Sequence, residues 1–178
     1  FDQKQEEVQT EQKNQGEETQ VVSNPNIRVL LMTDGYKNTI HPSVTVSSTT
    51  GLSITYGEKV EECEAGTEVT FMPDDSRFQS GNIRIQAKEG EITVNSLKRG
   101  YGSPSYQGIL ELRTTAEGIA IINELPVENY LCRVVPSEMP SGYEIEALKA
   151  QAVCARSYAY RQMAEYGYPE YEAHVDDS

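Results

Sequence analysis

The chain has 178 residues, a formal net charge of −13 and three cysteines. That length buries a real core, as one domain or a domain with a tail. So large a negative balance argues against nucleic acid as the main partner, because phosphate neutralisation needs Lys and Arg, and against an anionic membrane surface.

Residues 1–24 are polar and low in complexity, with no apolar periodicity and no aromatic beyond Phe1. Such a segment buries too little surface to offset its ordering entropy, so a flexible linker is expected. The first residue is Phe1 rather than Met. The expectation is a processed or trimmed product of a longer protein, with any membrane anchor upstream.

Structure is expected from Pro25. Residues 27–32 (IRVLLM) read as a buried strand, and residues 44–48 alternate as a second. Further strands are predicted over residues 52–56, 68–72, 83–87, 92–97, 107–114 and 118–122, with Gly, Pro, Asp and Ser between them. The texture changes at residues 123–126 (NELP). Pro126 suits the first turn of a short helix that continues through Leu131. A loop bracketed by Pro136 and Pro140 follows. Ser141 and Glu144 then match a capping box opening a long helix over residues 144–166, stopped by Gly167 and Pro169. In that helix Ile145, Leu148, Ala152, Ala155 and Ala159 form the expected buried stripe. Lys149 and Arg156 share one face, and Gln151 and Tyr158 another. The predicted fold class is α+β: a strand-rich half, then a short helix and a long amphipathic helix flanking a loop. The expected organisation is a linker over residues 1–24 and one domain over residues 25–178, strand-rich over 25–122 and carrying the loop and long helix over 123–178.

Cys63, Cys132 and Cys154 form no CxxC or CxxxH pattern and read as small buried apolar residues. Asp74–Asp75 and Asp176–Asp177 read as turn and tail charges rather than metal ligands. Ser137 has only His41 and His174 in the chain as bases, neither in a triad context. No nucleotide-binding glycine motif is present, and no cofactor is expected.

Glu138 is the carboxylate that stands out, set among Val134, Val135, Pro136, Met139 and Pro140. Desolvation raises a carboxyl pKa, and a carboxyl still protonated near neutrality donates a proton to a leaving oxygen. On pattern alone, a glutamate at a helix start bonding backbone amides is the better-favoured explanation. Glycoside cleavage normally uses two carboxyl groups. Glu144 is explained by capping and Glu128 by the first turn of the short helix, so a convincing second group is missing. One carboxyl suffices where the sugar supplies its own nucleophile. The C6 hydroxyl of a muramyl residue attacks C1 while the glutamate protonates the glycosidic oxygen, then accepts the hydroxyl proton. The product is a 1,6-anhydro sugar and no water is consumed.

NELPVENYLCRVVPSEMP followed by EALKAQAVCARSYA closely resembles the stage II sporulation protein D (SpoIID) family, which includes amidase-enhancer proteins. The resemblance extends upstream to Tyr106-Gln-Gly108-Ile-Leu-Glu111-Leu-Arg113, and its strong part covers residues 106–163. It implies a peptidoglycan lytic transglycosylase that cleaves MurNAc–GlcNAc bonds of glycan strands stripped of stem peptides, in sporulation-associated wall remodelling. It assigns the acid/base to Glu138 and the sugar contacts to Gln151, Arg156 and Tyr158, with Ser137 beside the acid. It also implies an extracytoplasmic place in the cell envelope, a partner cell-wall amidase and an N-terminal membrane anchor. Some relatives bind zinc through a Cys and a His shortly after this point; here that region offers His174 and no cysteine, so no metal is expected. The family domain continues beyond the position of Ser178, which leaves a partly built cleft as the expectation. The competing reading is a glycan-binding module that stimulates an amidase without cutting. A third is a scaffold in which the strand-rich half docks a partner.

Overall fold

The computed structural model describes residues 23–138, 142 and 144–178, without the side chains of Ser137 and Glu138. The linker expected over residues 1–24 therefore lies almost wholly outside the described residues. The elements run β1 (Asn26–Leu30), β2 (Val44–Ser47), β3 (Leu52–Tyr56), β4 (Lys59–Cys63) and β5 (Val69–Phe71). After a 3-10 turn at Ser76–Ser80 come β6 (Ile83–Ala87), β7 (Ile92–Val94), β8 (Ser105–Tyr106), β9 (Ile109–Thr114) and β10 (Ile119–Pro126). Helices α1 (Val127–Glu138) and α2 (Ile145–Met163) follow, then a 3-10 turn at Pro169–Tyr171 and β11 (Val175–Asp176). The fold is α+β, strand-rich first and then helical.

Among the described residues the strands form two sheets. One has the order β11-β1-β10-β9-β6-β3-β4 and the other β5-β2-β7-β8. Strands β2, β3 and β7 bury alternate residues, as expected where one face meets the core. Their inward residues Val44, Val46, Leu52, Ile54, Ile92 and Val94 share one core with Ile27, Val29, Leu110, Leu112 and Ile121 of the larger sheet. Strands β1 and β10 are buried on both faces. Their second face carries a smaller cluster of Leu30, Ala120, Ile122 and Ala173, with Tyr168 and Tyr171 packed against it. The C-terminal segment thus covers the back of the sheet, which is why residues 29–32 read as a continuous apolar run.

Beside that cluster, the same face holds an ionic network. Arg28 stands opposite Glu124 across β1 and β10, and Arg84 opposite Glu111 across β6 and β9. Arg84 reaches Glu111 at 2.9 Å and Glu124 at 2.6 Å. Arg28 pairs with both glutamates as well. Arg113 binds Glu111 at 3.0 Å and also Glu172. Arg28 Nε donates to the Glu172 carbonyl at 2.6 Å, tying the C-terminal segment to the network. Burial opposes the charge on Glu111, yet hydrogen bonds from Arg28 and Arg113 outweigh it and hold its carboxyl below the usual range.

Several expectations shift. Strand β10 runs past its predicted end at Ile122 to Pro126, because Asn123 Nδ2 donates to the Gln107 and Ile109 carbonyls at 2.8 and 3.2 Å and Glu124 joins the network. Helix α1 starts at Val127 and runs through Pro136 to Glu138, so Glu138 closes a helix rather than sitting in a loop. Pro136 removes a single backbone N–H, and the last turn absorbs that loss. Glu144 is itself the N-cap of α2 and makes no side-chain cap bond, while Ser141 lies outside the described residues. Of the predicted buried stripe only Ala159 is buried, and Ile145 is 69% exposed. Helix α2 lies on the surface, with one edge on the body. Cys132 and Cys154 are exposed and Cys63 is half-buried, against the expectation of buried thiols.

Glu111 supplies a pH test. A carboxyl with a depressed folded pKa contributes stability that is present above its ordinary value of 4.5 and lost as pH falls through the depressed value. Glu111→Gln should cost about 3 kcal/mol at pH 7, since it leaves buried guanidinium groups short of a counter-charge. The gap from wild type in urea unfolding should shrink below pH 4.5. A gap independent of pH would contradict this account of Glu111.

Candidate functional site

A cleft of about 1170 Å³ opens between the helix pair and the C-terminal segment. One wall is a stripe of α2: Gln151, Cys154, Ala155, Tyr158, Ala159 and Gln162. These positions recur at three and four residues, which places them on one helical face. The floor includes Val29, Leu31, Asn123 and Leu125 of β1 and β10, and α1 contributes Tyr130, Leu131, Arg133 and Val134. The far wall is Tyr168, His174, Val175, Asp176 and Asp177, with Tyr36 and Tyr106 at the sides.

Contacts between residues distant in the chain hold the walls. Gly108 has φ +80°, and a Cβ there would sit 2.3 Å from the Glu124 carbonyl oxygen, so the chain between β8 and β9 passes against β10 only as glycine. This fixes Tyr106 at the cleft. Arg133 of α1 donates to the Ser105 carbonyl and to Glu91, both at 2.7 Å, and its guanidinium lies 5.9 Å from the centre of the Tyr106 ring. The N-terminal N–H groups of α1 are satisfied from a distance: Val127 donates to the Pro25 carbonyl at 2.8 Å and Glu128 to Asn24 Oδ1 at 3.2 Å.

The C-terminal wall is docked by β11 lying parallel to β1. The His174 N–H donates to the Arg28 carbonyl at 2.9 Å, and the Arg28 N–H donates to His174 Nδ1 at 3.0 Å. Burial, then the nearby Arg28 charge, lowers the His174 pKa, and the ring stacks on Tyr166. Asp177 accepts from the Met32 N–H at 2.7 Å and from Arg99 at 2.6 Å, and burial pushes its carboxyl above the usual range. Arg99 also lies 4.5 Å from the centre of the Tyr36 ring. Tyr168 donates to Asp176, a bond that with burial pushes the phenol up to about 12. Asp176 and Asp177, expected as tail charges, are thus structural parts of the wall.

Of the sequence-derived site residues, Gln151 and Tyr158 come together on the cleft stripe. Ser137 and Glu138 form the end of α1, with their side chains outside the described residues. Arg156 is not among the lining residues. Five positions beyond Gln151, it lies about 140° round the helix and binds Glu128 through two bonds of 2.9 Å. That ion pair, led by the hydrogen bonds from Arg156, lowers the Glu128 pKa. Sequence reasoning missed Tyr130, Arg133, Tyr168 and His174 as wall residues. Only Tyr106 had a signal, as the first residue of the quoted Y-Q-G motif.

Chemically, the cleft offers aromatic faces beside amide and guanidinium donors. Such walls suit a hydroxyl-rich ligand: rings stack on its apolar faces and amides bond its hydroxyls. The volume exceeds what a typical small ligand fills, roughly 300–1,000 Å³. Among the described residues no group of three or more His, Cys, Asp and Glu side chains is arranged to hold a metal ion, and no helix is long and apolar enough to cross a membrane.

The two helix thiols report on this geometry. Cys132 and Cys154 should react quickly with a thiol reagent at pH 8. Cys63 should lag, because burial and then Glu61 push its pKa up. Equal rates at all three thiols would contradict the surface position of the helix pair.

Residues 115–178 match the SpoIID family, described as stage II sporulation protein. An uncharacterized protein of Brachyspira hyodysenteriae is 44% identical over 77 residues, covering 43% of this chain and 19% of that protein. Stage II sporulation protein D of Bacillus subtilis is 34% identical over 93 residues, 48% of this chain and 26% of the relative. Its counterpart in Bacillus amyloliquefaciens is 48% identical over 42 residues, 24% of this chain and 12% of the relative. The chain therefore spans about a quarter or less of the curated relatives it matches. No solved structure matches. The helix pair and the C-terminal wall of the cleft lie within the stretch that is similar to the SpoIID family.

Proposed function

We propose that this chain is part of a peptidoglycan lytic transglycosylase. It cleaves the MurNAc–GlcNAc bond of glycan strands freed of stem peptides and leaves 1,6-anhydro-MurNAc ends. Its setting is the cell envelope, outside the cytoplasmic membrane, in sporulation-associated wall remodelling. The parent protein is anchored by a segment upstream, and a cell-wall amidase prepares the substrate. The domain proposed for this work is residues 25–178, with residues 1–24 as its linker.

The observation that carries the reading is the cleft, whose α2 wall presents Gln151 and Tyr158 from the A-L-K-A-Q-A-V-C-A-R-S-Y motif. Tyrosines at 106, 130, 158 and 168 offer stacking faces around it. Glu138, the glutamate of the E-M-P motif, ends α1, the helix that supplies Tyr130 and Val134 to the same cleft. In this scheme Glu138 protonates the glycosidic oxygen as the C6 hydroxyl closes on C1, then takes the hydroxyl proton. Gln151, Tyr158 and Ser137 hold the sugar.

The test is to incubate the full ectodomain and Glu138→Gln with denuded glycan strands and weigh the products. Wild type should release fragments with anhydro ends, and Glu138→Gln should lose on the order of a hundred- to ten-thousandfold in rate. Hydrolysed ends, or equal rates in the two proteins, would overturn the reading. Glu138→Gln that keeps full stimulation of an amidase would favour the glycan-holding module instead.

A further inference from the structure

Helices α1 and α2 are separated by six residues in the chain, and Glu128 at the start of α1 meets Arg156 in the second half of α2, so the two run as antiparallel neighbours. Such a hairpin has one end closed by the chain and one end open. The open end here is the start of α1 and the second half of α2. Val127 and Leu131 of α1 and Ala159 of α2 rest that end on the core from one side, and the outer flank is left to polar contacts. Ala159 is the one buried residue of α2, and Val153 is 59% exposed.

Four polar links occupy that open end. Arg156 Nε and Nη2 donate to the two oxygens of Glu128, each at 2.9 Å, a planar two-bond geometry that fixes direction as well as distance. One turn further along α2, the Tyr160 hydroxyl donates to the Ser23 carbonyl at 2.9 Å. Residues Asn24 and Pro25 then accept the first two N–H groups of α1. The start of α1, the outer flank of α2 and the chain just before β1 therefore meet at one junction. It lies on the side of α2 away from the Gln151–Tyr158 stripe.

We propose that Glu128 and Arg156 are positioning residues: their ion pair clamps the open end of the α1–α2 hairpin and so sets where the last turn of α1 meets the cleft stripe of α2. The consequence for catalysis rests on the lytic reading, but the clamp itself does not. Glu128 and Glu138 are ten positions apart, about 15 Å along a helix. A tilt of about 5° at the clamp moves the far end by about 1.3 Å over that length. Displacement on that scale costs on the order of a hundredfold when an acid must meet its leaving oxygen. Arg156 thus acts through Glu128 rather than on the sugar.

The test compares Glu128→Ala, Arg156→Ala and the charge swap Glu128→Arg with Arg156→Glu, in the full chain. Kinetics on denuded glycan give kcat and KM. Separately, nitroxides on Cys132 of α1 and Cys154 of α2, in a Cys63→Ser background without substrate, report the interhelical distance. Both single variants should lower kcat roughly ten- to a hundredfold with KM nearly unchanged, and should broaden the distance distribution. The swap should restore both. A raised KM in Arg156→Ala alone, with Glu128→Ala behaving as wild type, would overturn the clamp in favour of a sugar contact. So would distance distributions that the single variants leave unchanged, whatever the activity. An inactive wild type whose distribution still broadens in the single variants and recovers in the swap would support the clamp and sink the lytic reading.

Discussion

The ionic network on the back of the large sheet is the constraint from which the rest follows. Arg28, Arg84 and Arg113 converge on Glu111, with Glu124 and Glu172 completing the set. Buried charges are tolerated only when paired with good geometry. Strand register supplies that geometry, since Arg28 faces Glu124 and Arg84 faces Glu111 across the ladder. A one-residue slip would send these side chains to the apolar face and bring core residues to theirs. The network therefore specifies register and also anchors the C-terminal segment through Glu172.

That anchoring builds the cleft. With Glu172 fixed, His174 and Asp177 bond the backbone of β1 and the strand's continuation, and β11 closes the sheet edge. Tyr168, His174 and Asp176 then stand as a wall opposite α2. On the other side, Asn24 and Pro25 hold the start of α1, and Arg133 ties its middle to β8. Both walls are fixed by polar contacts between residues more than twenty positions apart. The core beneath them, shared by both sheets, supplies the rigid base.

Long-range contacts of this kind also decide what was legible in the chain. Strands β3 and β6 match their predicted spans because apolar alternation between turn residues is a local signal. Strand β4 escaped notice because its sequence, KVEEC, sits at a sheet edge and needs little apolar character. Strand β11 is two residues long and pairs with a partner almost 150 positions away. Pro136 suggested a loop where the helix runs on. At the site, the seven-residue spacing of Gln151 and Tyr158 correctly put them on one face. Spacing says nothing about which face meets the cleft, and the pairing of Arg156 with Glu128 is recognisable only in the fold. Asp176 and Asp177 read as tail charges because their partners, Tyr168, Arg99 and the Met32 amide, are recognisable only in the fold.

The functional account rests on one physical claim: a glycan strand lies between the tyrosine-bearing stripe of α2 and the C-terminal wall. An amide-resolved NMR titration of the full chain with denuded glycan strands tests that claim without requiring turnover. The account predicts saturable shifts on both walls at once, at Gln151 and Tyr158 and at Tyr168 and His174, with β3 and β4 unaffected. Shifts confined to the outer strands, or none at saturating glycan, would contradict it.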